Sequence, residues 1–265
     1  MTGRVAVVTG AGRGVGAAIA CALAKEGWRL VLLDRCADEP ALSYRLSTRD
    51  ELDAVVARCG ALAGRCFGVV GDVREQRIVD TAVATATERF GGLDAAIAAA
   101  GCIAGGQPAW NTDESVWTTM IGVNLEGAWR LVRAAVPALL ARPSPRHGRL
   151  VAISSAGGSV GLPLLAAYVA AKHGVNGLMR SIAAELGPHG ITANAIAPGS
   201  TATAMLDASA AVYGLADTSE LVHQHLLPRP LHPDEIAALV AWVCSAESSG
   251  ITGAILPVDA GMTAR

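Results

Sequence analysis

Val5-Ala6-Val7-Val8-Thr9-Gly10-Ala11-Gly12-Arg13-Gly14-Val15-Gly16 is the stretch whose reading decides the fold. Four apolar residues run without a polar break, as in a strand buried on both faces. Glycines follow at positions 10, 12, 14 and 16, and then an alanine-rich helical pattern. Between a strand and a helix, such glycines let the backbone turn sharply and approach a pyrophosphate. The helix N-terminus adds free N–H groups and the positive end of its dipole. The spacing T-G-x-x-x-G-x-G is a variant of the dinucleotide-binding fingerprint. On its own it could also be a tight turn.

Working outward, short apolar runs alternate with longer helical patterns along the whole chain. Strands are expected at 5–9, 30–34, 66–71, 94–99, 149–154, 192–197 and 254–258. Helices are expected near 15–26, 49–63, 75–90, 113–140, 166–186 and 234–245. That alternation is the signature of a doubly wound α/β fold, a parallel sheet of about seven strands with helices on both faces. No linker separates two cores, so residues 1–265 read as a single domain. Thr48 and Glu51 fit a capping box, and Asp113 or Thr112 can cap the fourth helix. Gly27, Gly187 and Gly190 stand where helix ends call for positive φ.

The 265 residues are 52% hydrophobic and 17% charged, which excludes a disordered chain. A net charge of −2 with scattered Lys and Arg argues against nucleic acid as a partner. The arginines at 142, 146 and 149 read as part of a solvated, proline-rich loop. None of the six cysteines forms a C-x-x-C pair, so no metal site is expected, and the thiols read as reduced and cytoplasmic. Strand-like sequence begins at Arg4, which argues against a secretory leader. The uncharged segment 150–171 is long enough to span a bilayer, but its serines, glycines and Pro163 argue against a membrane helix.

Asp34 ends the second expected strand, 24 residues after Gly10. A carboxylate there can accept both hydroxyls of an adenosine ribose and would repel a 2′-phosphate, favouring NAD over NADP. The alternative is an ordinary turn residue. Arg13 and Arg35 complicate the choice, since either could reach a 2′-phosphate. Asp72, followed by Val73, could hydrogen-bond the adenine amino group.

Tyr168 and Lys172 stand at i and i+4, on one face of a helix. At 4 Å and an effective dielectric of 20, the attraction between phenolate and ammonium is roughly 4 kcal/mol, an upper bound of about three pK units. That would bring a phenol toward neutrality, where acid–base work is efficient. Ser155 lies 13 residues earlier, at the carboxyl end of the fifth strand, where ligands of open α/β sheets sit. Its hydroxyl could hold a substrate oxygen. The alternative, for it or Ser154, is a turn serine bonding its own backbone. Asn124 is a poor mid-helix residue. Either it caps a break, or its amide and backbone orient a water near Lys172.

Taken together these motifs resemble the short-chain dehydrogenase/reductase family over essentially the whole chain. The resemblance rests on Thr9-Gly10, Gly14, Gly16, Asp72, Ala98-Ala99-Ala100-Gly101, Asn124, Ser155, Tyr168, Lys172 and Pro198-Gly199 with Thr203. It implies a Rossmann-type fold and hydride transfer at C4 of a nicotinamide, with NAD as cofactor. Gly10, Arg13, Gly14, Val15, Gly16, Asp34, Arg35, Asp72, Val73, Ala99 and Gly101 would then line the nucleotide. Tyr168 would be the general acid/base, Lys172 would lower its pKa and bind the nicotinamide ribose, and Ser155 would polarise the substrate oxygen. Asn124 would hold a proton-relay water, and Pro198, Thr201 and Thr203 the carboxamide. Two departures stand out. The family's paired asparagines are Ala98 and Ala99 here, and its terminal Asp-Gly-Gly is Asp259-Ala260-Gly261, which reads as conservative.

A narrower resemblance is to the mycofactocin-coupled subgroup. Asp34 and Asp72 are 38 residues apart, longer than the family's usual connection, and 36–52 looks like that subgroup's insertion. The alternative is a tolerated surface loop. The resemblance implies a cofactor kept covered by the insertion and re-oxidised by mycofactocin as electron acceptor. An apolar alcohol or carbonyl substrate is expected from a lid at 200–232 carrying Met205, Leu206, Tyr213, Leu215, Leu221, Leu226 and Leu227. Ile103, Trp110, Leu162, Leu164 and Leu165 would join them, some only as packing. His223 and His225 receive no role. Rival readings are a 3-oxoacyl-type carbonyl reductase and a non-catalytic dinucleotide sensor. A homotetramer is implied, built on the helix at 166–186 and the apolar strand at a sheet edge.

Overall fold

In a computed structural model of the protein, which describes residues 3–264, the first apolar run forms β1 (Val5–Thr9), fully buried. Its side chains alternate between two cores. Val5 and Val7 pack in one hydrophobic cluster, Ala6 and Val8 in the other. Burial on both faces is why the run carries no polar residue.

β2 (Arg29–Asp34) and β3 (Cys66–Val70) add on one side of β1. β4 (Ala95–Ala98), β5 (Arg149–Ile153), β6 (Thr192–Pro198) and β7 (Ile255–Val258) add on the other. The order is β3-β2-β1-β4-β5-β6-β7 with every pair parallel, and Val7 stands opposite both Val31 and Ala96. The direction of winding reverses between β1 and β4, which opens a crevice at their carboxyl ends. β7 lies at the sheet edge as expected.

α1 (Gly14–Lys25), α2 (Arg49–Ala63) and α8 (Pro233–Cys244) cover one face, and α3 (Gln76–Phe90), α5 (Gly127–Leu140) and α6 (Ala166–Leu186) the other. The Thr48–Glu51 capping box is present at α2. The segment 150–171 is β5, a turn and the start of α6. Among the described residues, no helix is long and apolar enough to cross a membrane.

Three local expectations need correction. The helix expected over 113–140 is broken into α4 (Glu114–Ile121), a π turn at Gly122–Glu126, and α5. Asn124 sits in that break. Asp113 occupies the N-cap of α4 but makes no side-chain cap bond. Gly187 has φ −53°, because a 3₁₀ turn continues α6 and moves the left-handed residue to Gly190 at φ 73°. A further helix, α7 (Ala204–Val212), lies within the expected lid.

Candidate active site

The glycine turn fits a pyrophosphate for reasons visible in its backbone. Gly10 has φ +66°, and a Cβ there would stand 2.5 Å from the Ala100 Cα. A Cβ on Gly16 would meet the Gly10 carbonyl oxygen at 2.0 Å, so only glycine lets α1 start this close to β1. Arg13 caps α1 through its backbone alone, and the first turn holds no acidic side chain. The first N–H groups of α1 are thus free for an anion. Ala98 and Ala99 have no side-chain donors, but the Thr9 hydroxyl accepts from the Ala99 and Ala100 N–H groups at 3.2 Å each, joining β1 to β4.

Asp34 closes β2 with its carboxylate buried. Gly12 N donates to Oδ2 at 2.8 Å, while Cys36 N at 3.2 Å and the Ser47 hydroxyl donate to Oδ1. Oδ2 keeps a lone pair for a ribose hydroxyl. Arg35 is not free for a phosphate, and Arg13 has one N–H engaged. Arg13 donates to the Arg45 carbonyl, and Arg35 pairs with Glu39 at 2.6 Å and Asp72 at 3.4 Å. Asp72 is committed as well: Arg74 donates to it from its backbone and guanidinium, with the closest nitrogen at 2.7 Å. Hydrogen bonds and charge from Arg74 and Arg35 outweigh burial and hold the Asp72 carboxyl below its ordinary range. An adenine amino group would have to share this carboxylate with Arg74.

The insertion crosses the crevice. It leaves β2 at Cys36 in the left-handed region, φ 55°, and Leu46 N donates to Asp38 Oδ1 at 2.8 Å within it. Tyr44 then reaches the loop after β4, where its hydroxyl accepts from Ile103 N at 3.1 Å. Leu42 and Tyr44 pack in the cluster that contains Ile103, Met120 and Tyr168. The segment therefore runs as a strap from the β2 side of the switch point to the β4 side.

At the far end stand Ser155, Tyr168 and Lys172. The Ser155 hydroxyl accepts from Gly157 N at 3.1 Å, the turn-serine bond. Burial pushes the Tyr168 phenol up to about 12, with the neighbouring Ser155 hydroxyl acting against it. Lys172 shares the helix face with Tyr168, as the i, i+4 spacing requires. The ammonium lies 5.6 Å from the Tyr168 ring centroid and donates to the Ile153 carbonyl at 2.9 Å. Burial lowers Lys172 to about 8. Asn124 Nδ2 donates to the Cys102 and Met120 carbonyls at 3.0 Å each, and Oδ1 accepts from Cys102 N at 3.2 Å. Its amide thus ties the π turn to the loop after β4.

A cavity of about 590 Å³ joins these parts. Every catalytic and cofactor-binding residue named from the sequence lines it except Asn124, which stands behind. Met205, Leu206, Tyr213, Leu221, Ile103, Leu162 and Leu165 line it as expected. Leu226, Leu227 and Trp110 are exposed instead, Trp110 at 84%. Leu215 packs beside Leu206 in a small cluster, and Leu164 lies outside the wall. The Tyr213 hydroxyl holds the lid to the Pro163 carbonyl at 3.0 Å. His225 is buried and structural. Its Nε2 accepts from Ser200 N at 3.1 Å, so Nδ1 carries the proton toward the Arg229 carbonyl at 2.9 Å. His223 faces solvent. The change to Ala260 is less conservative than its size suggests: φ is 52°, a conformation costing a non-glycine residue about 1 kcal/mol.

Sequence reading missed Ser47, Glu39 and Arg74. Ser47 directly precedes the capping Thr48, and Arg35 with Glu39 shows opposite charges four apart outside any helix. Those were the available signals.

Comparison with known proteins agrees with this geometry. A family profile described as "Enoyl-(Acyl carrier protein) reductase" matches residues 10–263. An uncharacterized NAD-dependent oxidoreductase of Mycobacterium tuberculosis is 36% identical, over 98% of this chain and 95% of that one. The (−)-trans-carveol dehydrogenase of Rhodococcus erythropolis is 34% identical, over 98% of both. The crystal structure of carveol dehydrogenase from Mycobacterium avium in complex with NAD superposes with a TM-score of 0.94 at 35% identity, covering 100% of this chain and 99% of that one. With its motifs in order along one doubly wound sheet, the chain belongs to the short-chain dehydrogenase/reductase family.

Proposed function

We propose that the protein is an NAD-dependent oxidoreductase acting on an apolar alcohol and its ketone or aldehyde. The observation that carries this reading is the single cavity with the glycine turn and Asp34 at one end and Ser155, Tyr168 and Lys172 at the other. When bound, the nucleotide supplies a hydride acceptor or donor at nicotinamide C4. Gly14, Val15 and Gly16 would hold its pyrophosphate and Asp34 a ribose hydroxyl. Pro198, Thr201 and Thr203 would position the carboxamide. Ser155 would hold the substrate oxygen beside Tyr168, which moves the proton at that oxygen. Lys172, the nearest cation, would carry charge to the ribose side. A relay water at Asn124 would use its backbone, since the amide is committed to Cys102 and Met120. The intact Ser155–Tyr168–Lys172 set favours an enzyme over a sensor.

Relatives named as carveol dehydrogenases support an apolar substrate, as do the aliphatic and aromatic residues of the lid. The strap supports the mycofactocin-coupled reading: a nucleotide under Leu42 and Tyr44 leaves only after the Tyr44–Ile103 bond opens. The whole chain would act as one domain, with 36–52 as cofactor cover and 200–232 as substrate lid. A homotetramer would cover the exposed β7 edge, and the six free thiols support a cytoplasmic setting. The test is the NAD content of freshly purified protein, together with turnover of a terpene alcohol using added NAD alone or an added redox dye. Retained nucleotide with dye-dependent turnover is expected. Empty protein that cycles freely on external NAD would refute the coupling to mycofactocin.

A further inference from the structure

We propose that Glu39, within the strap, sets the preference for NAD over NADP by closing Arg35 and Arg74 into a neutral cluster. The inference rests on the nucleotide reading above and goes beyond it, since Asp34 alone would be the ordinary explanation.

Two cations, Arg13 and Arg35, line the end of the crevice beyond Asp34, and Arg74 packs against the same carboxylates as Arg35, enough to make an attractive site for a 2′-phosphate. Each is engaged. Glu39 Oε2 lies 2.6 Å from Arg35 Nη1 and 2.6 Å from Arg74 Nη2. Asp72 Oδ2 lies 2.7 Å from Arg74 Nη2 and 3.4 Å from Arg35 Nε. Arg13 donates one N–H to the Arg45 carbonyl, also in the strap. Two guanidinium and two carboxylate groups sum to zero and satisfy each other's hydrogen bonds. Burial opposes the ionisation of Glu39, but its bonds to Arg35 and Arg74 outweigh this and hold its carboxyl below the ordinary range.

Glu39 is the member whose removal changes the outcome. Without it, Arg74 keeps its close contacts with Asp72, whereas Arg35 keeps only the 3.4 Å contact. Arg35 follows Asp34 directly and lines the same cavity, so freeing its fork adds a donor on the ribose side of that cavity. A planar guanidinium recognises phosphate through paired charge-assisted bonds. Selectivity here would come from withholding a donor from the wrong cofactor as much as from contacts to the right one.

The experiment is an equilibrium competition. Purified protein is held in an equal excess of NAD⁺ and NADP⁺ until the bound composition stops changing, and the bound nucleotides are separated by ultrafiltration and counted by mass spectrometry. Wild-type protein should hold mainly NAD⁺. Glu39→Gln should move the bound ratio toward NADP⁺ by about tenfold, the worth of one charge-assisted bond. Adding Arg35→Ala to Glu39→Gln should abolish that gain. The proposal is overturned if Glu39→Gln leaves the ratio unchanged while Asp34→Ala moves it, or if Glu39→Gln weakens both nucleotides equally. Wild-type protein that takes up neither nucleotide overturns the underlying reading, and the proposal with it.

Discussion

Lys172 is a buried ammonium whose described hydrogen bond goes to a carbonyl, that of Ile153. Burial lowers its pKa from 10.5 to about 8, so the folded state disfavours its charge. Below about pH 8 both folded and unfolded chains hold the proton and the penalty is full. Above the unfolded value both are neutral and it vanishes. Between the two the unfolded chain binds more protons, so stability rises with pH, by about 3 kcal/mol in all. Lys172→Met should flatten that rise, which urea unfolding across the window would show; parallel profiles for the two proteins would refute it. At this scale the sequence named Ser155, Tyr168 and Lys172 because strand end, spacing and helix face agree. It did not give their depth of burial, because the i, i+4 rule fixes a shared face only. Burial raises Tyr168 here and lowers Lys172.

The strap joins the β2 side of the crevice to the β4 side. Its position was legible from the separation of Asp34 and Asp72, but its span was not. That Tyr44 crosses to Ile103 is a long-range contact that no local pattern encodes. Tyr44→Phe keeps the ring in its apolar cluster and leaves the buried Ile103 N–H without its partner. A loss of this kind costs about 1–3 kcal/mol. Release of bound NADH, followed by its fluorescence on displacement, should quicken by roughly tenfold or more. An unchanged release rate would show that Tyr44 is not the latch. The break at Asn124 was half legible for the same reason. A poor helix former signals an interruption, yet the π turn depends on Asn124 bonding Cys102 across the fold.

Over the whole molecule, the seven runs and their parallel arrangement could be read in advance because both faces of the sheet are buried. Continuous apolar runs at helical intervals leave few other arrangements. The cavity follows from the strand order: winding reverses at β1 and β4, and the glycine turn, Asp34 and Ser155 all lie at carboxyl ends of strands. What the runs did not reveal is the charge cluster over the adenosine end, since its members come from the residue after β2, the strap and the loop after β3. The central claim is that this cavity transfers hydride between an apolar alcohol and NAD with Tyr168 handling the proton. It is tested most directly by a single turnover with a terpene alcohol deuterated at its carbinol carbon. The account predicts deuterium in the reduced nucleotide of wild-type protein, with Tyr168→Phe retaining NAD but reacting about 10² to 10⁴ times more slowly. Nucleotide that gains no deuterium, or a phenylalanine variant as fast as wild type, would contradict it.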